Sequence, residues 1–183
     1  MKIEMRQMMK IYSLCAVLIL SSTVWAIPAN PYWIRFNQQV YTWNSLKNTT
    51  NTIKNVTNDL VFEIQSLRTI AQNDPNVDQN ELMQIEAELN LAESNDNNGT
   101  LRVLNHVIPA CESYADSADN KLTEACGHLI AENWAEATNC MNQVETFLLG
   151  IGSWHNEFYQ VDEPAIRGHI DLATIMYIQF SGN

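Results

Sequence analysis

Between Pro31 and Pro75, apolar side chains recur at Trp33, Phe36, Val40, Trp43 and Leu46, then at Ile53, Val56, Leu60, Ile64, Leu67 and Ala71. Steps of three and four residues bring one helical face to a core. The polar run Asn48-Thr49-Thr50-Asn51-Thr52 separates the two series and is rich in side chains that compete for backbone hydrogen bonds. The pattern predicts two helices, over about 31–47 and 52–72, with one continuous helix of about 40 residues as the competing reading.

Further on, Asp78 with Glu81 forms a capping-box start for a helix carrying Leu82, Ile85, Leu89 and Ala92. The cluster Asn95-Asp96-Asn97-Asn98-Gly99 is a turn signal, and the next helix starts near Thr100, with a kink expected at Pro109. Asp116-Ser117-Ala118-Asp119-Asn120 predicts a second tight turn. Gly150-Ile151-Gly152-Ser153 predicts a further break, and Asp162-Glu163-Pro164 a cap for a last helix through Ile166, Ile170, Ala173, Tyr177 and Phe180. Strand signals are nearly absent. The expected fold class is all-α: an antiparallel helical bundle of six or seven helices with short loops.

Residues 1–26 stand apart. A basic start (Lys2, Arg6, Lys10), an apolar run from Ile11 to Leu20 and the ending Val24-Trp25-Ala26 read as a secretory signal peptide, with cleavage expected after Ala26. Residues 27–183 then form a single helical domain in the secreted or periplasmic space. No later apolar run reaches the ~20 residues of a membrane span, so no integral membrane segment is expected after cleavage.

Charge narrows the choice of partner. The chain holds 21 acidic and 10 basic residues, a formal net charge of −11. Loss of the leader removes three bases and Glu4, which makes the domain more acidic still. Nucleic acid is excluded, because phosphate binding requires a basic patch. Nothing in the composition sets an oligomeric state.

The stretch Ala125…Leu129…Asn133-Trp134-Ala135-Glu136-Ala137…Met141 resembles one helix-turn-helix of a tetratricopeptide-like repeat, with an aromatic opening the second helix and an alanine at the close contact. Glu132 and Asn133 stand where such repeats usually carry glycine, and no second copy follows at a ~34-residue period. The resemblance covers about 25 residues and implies a helical hairpin turning near Asn133.

The domain carries three cysteines in a compartment that favours disulfides. Cys126 and Cys140 lie equally far from the turn at Asn133 and are the preferred pair. Cys111 with Cys126, across the turn expected near residue 118, is the alternative.

Other chemistry is sparse. Glu124, His128 and Glu132 are spaced i, i+4, i+8, which on one helical face would offer a carboxylate, an imidazole and a carboxylate to a divalent cation. No other cofactor is indicated. His155, Glu157 and His169 form a second, more scattered set. Gly-x-Ser-x-Gly, His-Glu-x-x-His and Cys-x-x-Cys are missing, so a cysteine-dependent hydrolase would have to be assembled from Cys111 or Cys140 with His106, His128 or His169. Trp33, Trp43, Trp154 and Tyr159 are candidate anchors for a protein partner, since such rings are enriched at interfaces. The leading expectation is a non-enzymatic secreted or periplasmic helical protein that binds a partner protein, a released bacterial effector being a special case. A cation-binding domain comes second and a cysteine hydrolase third.

Overall fold

The computed structural model describes residues 30–96 and 98–182; the expected leader at 1–26 lies outside them. Among the described residues the chain is helical with no strand, and it forms four helices rather than six or seven. Helix α1 is Pro31–Asn73 and α2 is Gln79–Glu93. Helix α3 runs unbroken through Thr100–Arg102, Val103–Val107 and Ile108–Ile130, and α4 through Trp134–Glu157, Phe158–Asp162 and Glu163–Ser181.

The local reasons are visible at each end. Asn30 accepts the Tyr32 N–H, and Pro31 opens α1 where no backbone donor is needed. Asp78 and Glu81 close the reciprocal capping box expected for α2. Glu132, with φ of 56°, and Asn133, which caps the Glu136 N–H, turn α3 into α4 where the hairpin was expected.

Three expected breaks do not occur. The run from Asn48 to Thr52 stays helical with Thr50 buried on the core side of α1, and Thr50 and Thr52 satisfy their hydroxyls on the carbonyls of Leu46 and Asn48. The Asp116–Asn120 segment continues α3 because Ala115, Ala118 and Leu122 keep its buried stripe in step. Around Gly150 and Gly152, α4 is held by buried Leu148, Ile151 and His155.

Prolines produce a different effect from the kink and cap expected. The Ile108 N–H bonds the Val103 carbonyl and the Glu163 N–H bonds that of Phe158, each five residues back, so both rods contain a π turn. Pro109 and Pro164 follow these turns at the same offset. A proline lacks the N–H and crowds the carbonyl four residues earlier, and one widened turn absorbs both defects without breaking the rod.

Cross-links between rods fix the topology. Gln39 Nε2 donates to the Met141 carbonyl, Thr50 meets His155, and Tyr177 OH donates to Asp74, at separations of 102, 105 and 103 residues. This constant offset means that α1 and α4 run parallel, side by side. Helices α2 and α3 return antiparallel to them: Arg68 pairs with Glu86 and Glu93, and the Trp43 Nε1–H bonds the Ala115 carbonyl. The result is an elongated bundle of three layers of helix, one of them broken at the turn ending in Gly99. At 43 residues α1 spans roughly 64 Å. One core fills it from Phe36 to Ala173. No helix of the described residues is long and apolar enough to cross a membrane.

Candidate functional site

Two parallel helices leave a furrow on the side away from the third, and here it opens into a groove of about 640 Å³. Helix α1 contributes Arg35, Gln38, Gln39, Thr42 and Leu46; α4 contributes Glu145, Leu148, Leu149, Gly152 and Ser153. Leu149 is 71% exposed, a large apolar side chain presented to solvent. A Cβ at Gly152 would meet nothing within 4 Å, so another chain can approach closely there. Arg35 ties the rim together, donating to Glu145 and Asn142 at 2.9 and 2.7 Å. Gln39 is only 8% exposed; its Nε2 is bonded to Met141, while Oε1 has no partner among the described residues.

A second polar cluster lies deeper. Thr50 Oγ1 and His155 Nε2 are 2.8 Å apart and buried, and the Thr50 hydroxyl also hydrogen-bonds the Cys111 thiol. Burial lowers the His155 pKa and so keeps the ring neutral. Burial likewise pushes the Cys111 thiol up to about 11, outweighing the Thr50 hydrogen bond. A cavity of about 140 Å³ between α1 and α3, lined by Thr50, Cys111, Lys47 and Asp116, reaches this cluster. A thiol held protonated at neutral pH is a weak nucleophile. The sequence pattern offers Cys111 the histidines His106, His128 and His169, and places His155 in a different set, with Glu157 and His169.

The remaining sequence candidates are dispersed. No disulfide joins Cys111, Cys126 and Cys140, all buried. The preferred Cys126–Cys140 bridge is not formed, and the Cys140 thiol lies 3.7 Å from Glu124 Oε2 instead. The Cys111–Cys126 alternative fails because both lie on α3, roughly 22 Å apart along its axis, whereas bridged Cα atoms lie within ~7 Å. Glu124 pairs with Lys121, which lowers its pKa, and Glu132 falls beyond the end of α3, so Glu124, His128 and Glu132 do not share one helical face. No cluster of three metal-binding side chains occurs among the described residues. His155, Glu157 and His169 face Thr50, Arg102 and Glu88 respectively.

Of the aromatic anchors, Trp43 is buried with Lys47 over its ring, and Trp33 packs edge-on against Phe36. Trp154 is half-buried against the core, while Tyr159 is 42% exposed beside Phe158. The groove therefore depends on Leu149 and its neighbours instead, which the break expected at Gly150 had concealed.

Comparison with family models, with curated proteins and with solved structures finds no match to this chain.

Proposed function

We propose that the chain is an exported, non-enzymatic helical protein that holds a partner protein in the groove between α1 and α4. The observation that carries this reading is the groove's composition: an apolar floor of Leu46, Leu148 and Leu149 beside the buried amide of Gln39, whose Oε1 is unsatisfied. A concave apolar strip with a few fixed polar groups is the usual chemistry of a protein-binding surface. Export is supported by the leader pattern of residues 1–26. A cysteine hydrolase gains nothing from Cys111, whose thiol stays protonated.

The test is site-specific photocrosslinking of the exported protein, with the probe at Leu149 or at the exposed Met83 on α2. A discrete protein adduct from Leu149 alone is expected. Equal adducts from both positions, or none from either, would remove the groove from consideration.

A further inference from the structure

Resting on that reading, we infer that the occupant is an amphipathic helix carrying lysine or arginine along its edges, laid lengthwise in the α1–α4 seam. Shape supplies the first argument. The seam lies between two parallel helices from Gln39 beside Met141 to Asp74 beside Tyr177, and a straight furrow of this kind accepts another helix, completing a four-helix arrangement. The groove residues on α1 already extend over three turns, and Leu148 and Leu149 provide the apolar strip.

Charge supplies the second argument. All seven basic side chains from Arg35 onward are engaged within the molecule: six are in ion pairs, and Lys47 sits over Trp43. None is left over for an anionic partner, in a chain of net charge −11. Heptad steps from Arg35 run through Thr42, Thr49 and Val56 to Glu63, and from Gln38 to Asp59, so both carboxylates lie along the continuation of that stripe of α1, roughly 20 to 26 Å beyond Leu46, where the groove's own lining ends. Asp59 and Glu63 are exposed and have no basic partner among the described residues. A cationic helix would meet them while its apolar face covers Leu149. A second copy of this acidic chain would meet repulsion instead.

Three measurements decide the matter, each by fluorescence anisotropy against the domain freed of its leader. They use a leucine–lysine helix of about 20 residues (roughly 30 Å long), its leucine–glutamate counterpart, and the leucine–lysine helix at high salt. The lysine helix is expected to bind and the glutamate helix not. The pair Asp59→Asn/Glu63→Gln weakens binding about tenfold at low salt and far less at high salt, whereas Leu149→Ser weakens it at both. The remote pair Asp96→Asn/Asp116→Asn, exposed on the α2–α3 rod away from the groove and with the same charge change, has little effect. If that remote pair weakens binding equally, general acidity is the cause and the inference fails. If both helices bind alike and lose affinity with Leu149→Ser, the groove stands and the basic occupant falls. If sedimentation shows a dimer that Leu149→Ser dissociates, the occupant is a second copy and the inference is overturned. If Leu149→Ser changes nothing, the groove reading falls with it.

Discussion

Arg102 donates to Asp162 Oδ1 at 2.5 Å across the middle of the bundle, at the point where the π turns of α3 and α4 touch. Asp162 is wholly buried, and Arg102 also pairs with Glu157. Burial raises the Asp162 pKa, and the Arg102 guanidinium pulls against it without prevailing. Ionised Asp162 is therefore a load that the fold tolerates only because the arginine is there.

Removing Arg102 while keeping Asp162 tests this directly. Arg102→Met is expected to destabilise the protein by about 3–5 kcal/mol, since it leaves a buried charge without its partner. Adding Asp162→Leu to that variant should restore most of the loss. Urea denaturation of the two variants beside the parent checks it, and a double variant as weak as the single one would mean that the arginine acts by packing alone.

His155 gives the bundle a pH dependence of definite sign. Burial holds its pKa below the ordinary 6.5, so between that lowered value and 6.5 the unfolded chain binds more protons than the folded one. The stability contributed by the neutral ring is complete above pH 6.5 and is lost as the pH falls towards the folded pKa. Asp162, with its raised pKa, acts oppositely, because its protonation relieves a buried charge. Denaturation at pH 7.5 and 5.5 should show a drop in the parent that His155→Gln reduces.

Why the sequence suggested a break inside α1 follows from one threonine. Buried positions on α1 alternate in steps of three and four through Trp43, Leu46, Thr50, Ile53, Thr57 and Leu60 without interruption. Counting apolar residues alone leaves a gap at Thr50, and a gap beside Asn48 and Asn51 looks like a turn. The core register was there to be read once a threonine bonded to the carbonyl four residues back is allowed as a core residue. The turns at Asp74, Gly99 and Asn133 were legible because Pro75 and the Asn95–Gly99 cluster mark the first two and the resemblance to a repeat hairpin implies the third. The groove was not legible, because it depends on how α1 and α4 align, and residues about 105 apart leave no local signature of that alignment.

The cysteines provide a prediction that separates burial from bridging. With Cys111, Cys126 and Cys140 buried and unbridged, the helical domain should resist thiol reagents while folded and take up three equivalents once denatured. Its intact mass should be that of the fully reduced chain. Uptake of one equivalent in denaturant, with a mass two hydrogens lower, would restore a disulfide.

Glycines offer opposite outcomes for one substitution. A Cβ at Gly99 would stand 2.4 Å from the backbone nitrogen and oxygen of Ser94, a contact that no side-chain movement relieves. Gly99→Ala must therefore shift the turn that joins α2 to α3, at about 1–3 kcal/mol. Gly152 lies within α4 with open space around the added carbon, so Gly152→Ala gains helix propensity and should stabilise by about 0.5–1 kcal/mol. Because Gly152 also lines the groove, the same alanine is expected to narrow it and weaken the lysine helix as it strengthens the fold. Thermal unfolding and anisotropy on the same sample separate the two effects. A Gly152→Ala protein that is more stable and binds unchanged would place the occupant away from α4's glycine, towards the α1 edge.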